Sequence, residues 1–349
     1  MRVEQAMGPD APVTAHLAAV VGNPSDPGNV ADALWNYVGL NERRAPPEED
    51  EEEVEDYRIA EIEAVWPIER MVEESRDERL ALAVVKSLKI LSRARANRLA
   101  LRDEHAAALV RLLVHPWRDT RILAECANVI LNACYEKVNV AHMLAAGAVT
   151  PLLGLLEASE DMVRANASGA LQSICYQSDG RVRVREDGGI PKLISLLGAR
   201  DPDVRRRAVG CVHNISSDMG SIREMRRGGA ILPLIGLLRH PDSAVCGSAA
   251  GALQNISREL ASRNIIRDNE AALPLLDLLC SNDVQAQTCA AGALINILGP
   301  VYHSAEHASG GNKALNRVIG LALTLSSSYH ALYNLAEEAQ RDVLVGGGR

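Results

Sequence analysis

The sequence predicts an all-α solenoid, on three observations. A spacing of 41 residues recurs along the chain in four separate classes of position. Within each unit the apolar residues follow helical rather than strand spacing. Glycine, proline and acidic residues punctuate each unit where helices begin and end.

The stretch GALQNIS, Gly251 to Ser257, serves as a ruler for the spacing. In the same register stand NVILNAC from residue 128, GALQSIC from 169, GCVHNIS from 210 and GALINIL from 292. Their central residues are Asn132, Ser173, Asn214, Asn255 and Asn296. Leucine pairs ending at Leu156, Leu197, Leu238 and Leu279 keep the same step, as do Gly147, Gly188 and Gly229 and the acids Glu160, Asp201, Asp242 and Asp283.

Each unit reads as three helices. A short first helix, such as Ile222 to Arg227, ends at a glycine suited to a left-handed C-cap. Pro151, Pro233 and Pro274 fall in the first turn of the second helix, where proline is tolerated, with Pro191 displaced by one. That helix is expected to run about ten residues, through the leucine pair. The periodic acid then caps the third helix by accepting its unpaired backbone N–H groups.

Numbering the third helix from its central residue n, positions n−6, n−3, n−2 and n+1 are apolar: Ala249, Ala252, Leu253 and Ile256 in one unit, Ala208, Cys211, Val212 and Ile215 in the one before. They form a buried stripe. Positions n−7, n−4, n and n+3 lie opposite and vary: Glu125, Asn128, Asn132, Tyr135; then Asn166, Gly169, Ser173, Tyr176; then Arg207, Gly210, Asn214, Ser217; then Ser248, Gly251, Asn255, Arg258. A repeated apolar face behind a variable polar one is what a stacked solenoid requires.

The unit length, the stretches GGIPKLISLL and GGAILPLIGLL, and the GALQNIS helix resemble armadillo repeats over residues 105–310. Divergent units flank this core. ALWNYV at 33–38, with Asn36 in the central place, marks an N-terminal repeat or cap over 1–44. An acidic loop over 45–58 separates it from an array over 59–310, in which VVKSLKILS takes a third-helix place. HALYNLA, with Asn334, marks a degenerate C-terminal repeat or cap and tail over 311–349.

The resemblance implies a right-handed superhelix of about six to eight repeats, whose third helices line a concave groove. In such proteins the central asparagines hold the backbone of an extended peptide, since an amide can both donate and accept. Asn132, Asn214, Asn255 and Asn296 take this role by position, and Ser173 interrupts the row. The competing reading is that these amides satisfy neighbouring helix ends. Asn128, Asn166, Arg207 and Arg258 complete the expected partner-binding face. Importin-α-type arrays carry a tryptophan at n−4 that packs on lysine and arginine stems. Here n−4 is Asn128 followed by Gly169, Gly210, Gly251 and Gly292. These glycines read either as sites of close helix approach or as room for a bulky partner side chain. The function expected is a non-catalytic scaffold or adaptor for an extended or helical protein segment, without cofactors. A transport receptor of the importin-α kind is the alternative.

Composition narrows the field. The net charge of −8 lies in Glu48–Asp56, which holds eight acids and no base, so the rest of the chain is formally neutral. A neutral body with 3% aromatic residues argues against nucleic-acid binding. No run approaches the ~18 apolar residues that a membrane span needs. The seven cysteines fall inside helical patterns without close pairing and read as reduced core residues of a cytoplasmic-type compartment, with nucleus and cilium compatible. Arg181, Arg183, Arg185, Arg205, Arg206, Arg226 and Arg227 form a basic series. It reads either as a solvated face or as a dock for an acidic segment, the loop 48–56 among the candidates. His303-Ser304-Ala305-Glu306-His307 spells a zinc-peptidase pattern and carries the remaining alternative, a metal-dependent hydrolase, but its flanks do not support a helix. Asn166-Ala-Ser, Asn214-Ile-Ser and Asn255-Ile-Ser match glycosylation signals yet lie inside expected helices, so a structural role is assigned to them.

Overall fold

The computed structural model describes residues 27–41 and 76–302. Among the described residues there are seventeen helices and no strand, an all-α solenoid. No single helix among them is long and apolar enough to cross a membrane. The acidic loop, the His303–His307 pattern and the unit at 311–349 lie outside the described residues.

The chain divides into two compact units, the first ending at Gly189 and the second beginning at Ile190. In unit 1 four long helices stack in sequence: Pro27–Asn41, Glu78–Leu91, Thr120–Ala133 and Asp161–Ile174. ALWNYV and VVKSLKILS therefore sit on stacked helices, as their patterns predict. In unit 2 the corresponding stack is Pro202–Ile215, Ser243–Ile256 and Val284–Tyr302. The predicted stripe is the core of this stack, with Ala208, Cys211, Val212, Ile215, Ala249, Ala252, Leu253 and Ile256 all buried.

The punctuation has a physical basis in most units. Asp201 Oδ1 accepts from the Val204 N–H at 2.9 Å, Asp242 Oδ1 from Ala244 at 2.9 Å, and Asp283 Oδ1 from Gln285 and Ala286 at 2.9 and 3.0 Å. Asp77 and Asp119 do the same for the long helices that follow them, Glu78–Leu91 and Thr120–Ala133. Glu160 departs from the expectation: its longer side chain makes no cap bond and instead accepts from the Ser159 hydroxyl. The second helices are shorter than expected, such as Val149–Leu155 and Ile231–Leu237, because the second leucine of each pair already lies at the C-cap.

Gly147, Gly188 and Gly229 adopt φ of 78°, 74° and 77°. Two of these turns close in the same way, with Ala148 N–H donating to Met143 O and Ala230 N–H to Met225 O, both at 3.0 Å. The next position in register is Glu270, which keeps the turn at φ 57° although it carries a side chain, at a cost of roughly 1–2 kcal/mol.

All seven cysteines are free thiols, and six are buried. Cys280 is exposed, contrary to the core role expected for every one. Burial pushes the Cys126 thiol up to about 12 and the Cys289 thiol to about 11, which holds both protonated at neutral pH.

Candidate functional site: the polar face of the long helices

The face opposite the core stripe is only partly open. In unit 1, Asn128, Asn132, Asn166 and Ser173 are half-buried, while Tyr135 and Tyr176, in register at n+3, are 65% and 76% exposed. Glu125, at n−7, is buried and takes Lys89 Nζ at 2.9 Å and Lys86 Nζ at 3.8 Å from the preceding long helix. Lys86 also lies over the Trp35 ring, 5.9 Å from its centroid. Asn166 Nδ2 donates to Ala124 O at 2.8 Å, and Asn128 Nδ2 to Asn166 Oδ1 at 3.4 Å. Tyr135 carries the Arg98 guanidinium 5.8 Å from its ring centroid, and that guanidinium also donates to Arg93 O and Glu136. The positions predicted for partner contact thus hold the stacked helices together as well as facing outward.

In unit 2, Arg207, Asn214, Asn255 and Asn296 are half-buried and Arg258 is exposed. The n−4 glycines decide between the two readings of the sequence. A Cβ on Gly251 would lie 2.4 Å from His213 Nε2, and one on Gly292 would lie 2.1 Å from Gln254 Nε2. The space at n−4 is taken by the n−1 side chain of the preceding repeat. At these two positions it is therefore not room for a partner, and no lysine-stem pocket stands there.

Burial pushes the His213 imidazole below its ordinary pKa, because the charged ring would lose hydration in this slot. The folded state then binds fewer protons than the unfolded chain. The stability that neutral His213 brings is present above about pH 6.5 and is lost as the pH falls through the folded value. Gly251→Ala is expected to lower unit 2 stability by about 1–2 kcal/mol, against the ~1 kcal/mol that alanine gains over glycine in an open helix. Adding His213→Ala should recover most of that loss and flatten the acid-side decline. Urea unfolding of the double-mutant cycle at pH 5.5 and 7.5 measures both effects.

Three of the four central asparagines, Asn132, Asn255 and Asn296, meet the preceding repeat through their amide nitrogens. Asn132 Nδ2 donates to Ser92 Oγ at 3.0 Å, Asn255 Nδ2 to Ser216 Oγ at 3.0 Å, and Asn296 Nδ2 to Ser257 Oγ at 2.9 Å. The reading that they satisfy neighbouring helix ends therefore holds for one half of each amide. These serines, buried at helix C-caps, are the residues that sequence reasoning missed.

The basic series is largely committed within the fold. In unit 1, Arg181 donates to Cys175 O and Tyr176 O at a helix end, Arg183 pairs with Asp187, and Arg185 lies 3.7 Å from Glu186. In unit 2, Arg205 donates to Ala199 O, Arg206 pairs with Asp203, and Arg226 pairs with Glu259 at 2.8 Å. Arg227 closes the helix Met219–Arg227. The Arg226 guanidinium holds the Glu259 carboxyl below its usual range. An acidic ligand at these places would have to displace partners already bound. Among the described residues no cluster of ligating side chains could hold a metal.

Comparison with known proteins places this geometry. The family model for the Armadillo/beta-catenin-like repeat matches residues 177–217 and 220–258. An engineered protein of known structure superposes with a TM-score of 0.70 at 24% identity, over 82% of this chain and 68% of its own. A designed armadillo repeat protein, YIII(Dq)4CqI, gives 0.61 at 24% identity, over 66% and 99%. Another, solved in complex with the peptide (KR)4, gives 0.59 at 23% identity, over 66% and 99%. A computationally designed set described as being for modular peptide recognition gives 0.59 at 23% identity, over 66% and 99%. A comparison with curated proteins finds no match.

Proposed function

The chain is an all-α solenoid carrying armadillo repeats, and from that premise we propose that it is a non-catalytic scaffold holding a segment of a protein partner along the polar face of its long helices. The observation that carries the reading is that each unit bears half-buried amides on the polar face of its long helices, Asn128, Asn132 and Asn166 in unit 1, with exposed Tyr135 and Tyr176 beside them, and Asn214, Asn255 and Asn296 in unit 2. Half-buried amides exchange water for a peptide group at small net cost, and exposed tyrosines add contact area with little entropy to lose. Designed armadillo repeat proteins of similar fold are described as being for modular peptide recognition or in complex with a peptide, which supports the same use here. In unit 2 the face carries Arg207 and Arg258 and no acid at the n−7, n−4, n and n+3 positions of those two repeats, so an acidic segment is the better electrostatic fit.

Selection of a displayed random dodecapeptide library on the full chain tests the proposal. Enriched peptides should bind at least tenfold more weakly to a chain carrying Asn132→Ala, Asn255→Ala and Asn296→Ala. Peptides that bind both proteins equally would place recognition elsewhere.

A further inference from the structure

The three asparagine–serine contacts continue into the preceding helix. Ser92 Oγ donates to Lys89 O at 2.9 Å, Ser216 Oγ to His213 O at 2.6 Å, and Ser257 Oγ to Gln254 O at 2.6 Å. A hydroxyl has one proton, and here it is committed to a carbonyl three residues back. Each serine oxygen can then only accept from the asparagine, so the amide must turn its nitrogen toward the serine. The carbonyl half, Oδ1, remains. Asn296 is the fullest case, since its nitrogen also donates to Gln254 O at 3.2 Å and both its protons are spent.

From this we infer that the buried serines Ser92, Ser216 and Ser257 are positioning residues that set the polarity of the groove amides, so that the groove reads backbone N–H groups of an extended segment. The inference rests on the groove reading above and decides what that reading left open. Inside a helix every N–H beyond the first turn is already bonded, so a helical segment has nothing to offer a row of acceptors. An extended segment keeps its N–H groups available. Asn214 lies outside the pairing, because the C-cap in the repeat before it is Cys175 rather than serine. In unit 2 the flanking Arg207 and Arg258 give the segment its charge, acidic side chains on an extended backbone.

Two measurements on the full chain test the inference. The first needs no ligand. In Asn-labelled protein, Ser216→Ala and Ser257→Ala should shift the side-chain amide protons of Asn255 and Asn296 and speed their exchange with water at least tenfold. Unchanged amide protons would overturn the inference. The second uses the wild-type chain alone, titrated at low salt with acetyl-(Asp-Ala)6-amide and with the same peptide N-methylated at every alanine. The plain peptide should bind and the methylated one should lose at least tenfold. Binding that survives methylation overturns the inference and leaves the groove reading standing. Failure of the plain peptide to bind at all removes the groove reading and takes this inference about its ligand with it.

Discussion

Gly180→Ala is expected to destabilise unit 1 by about 3 kcal/mol, the upper end of what overpacking costs. A Cβ there would lie 2.1 Å from Ile174 O and 2.7 Å from Ile174 C, both backbone atoms that no rotamer change can clear. One repeat earlier the same place is Asn139, whose side chain reaches Ala133 O at 3.0 Å and Arg98 O at 2.7 Å. Where unit 1 lacks that amide, the backbone itself closes on the helix end. Gly154→Ala is the control: it lies in a helix of the same unit with nothing within 4 Å of its Cβ, so alanine should be neutral or gain up to ~1 kcal/mol. Opposite signs for the two substitutions in urea unfolding would confirm the account. Equal effects would refute it.

The other large effect is expected at Glu125. Its side chain is 10% exposed, Lys89 beside it is 15% exposed, and the two meet at 2.9 Å. Removing the carboxylate leaves two lysines in poor solvent, so Glu125→Ala should cost about 3–4 kcal/mol. Replacing Glu125 and Lys89 together by leucine should recover much of that, since the cost comes from buried charge that has lost its carboxylate rather than from the pair's own strength. The loss should persist in 1 M salt, because a buried pair is screened little. The exposed Asp32–Arg79 pair in the same unit gives the contrast: Asp32→Asn should cost under about 1 kcal/mol and should lose its effect in salt.

The fold was legible in the sequence wherever one unit contains its own explanation. Asp201, Asp242 and Asp283 cap because a short carboxylate reaches the first-turn N–H groups. Gly147, Gly188 and Gly229 turn left-handed because a Cβ resists that backbone. The site was legible only in outline, because its chemistry lies between units. Periodicity identified Asn132, Asn255 and Asn296 but not which atoms face them. Nothing in Gly251 or Gly292 alone says that His213 or Gln254 from the preceding repeat fills the slot. The signal for the serines was nevertheless present. Asn-Ile-Ser at 214–216 and 255–257 combines the central asparagine with the C-cap serine that serves the next repeat, and read as a glycosylation motif its 41-residue recurrence had no meaning.

Because each oriented amide draws its hydrogen-bond partner from the module before it, the smallest inheritable piece of this recognition surface is the seam between modules. A repeat copied or transplanted whole carries an orphaned asparagine at its front and an unclaimed serine at its back. Shuffling such a chain would therefore preserve ligand preference only when the crossover falls between a central asparagine and the C-cap serine two residues later, because a cut in the short helices parts each serine from the asparagine it serves.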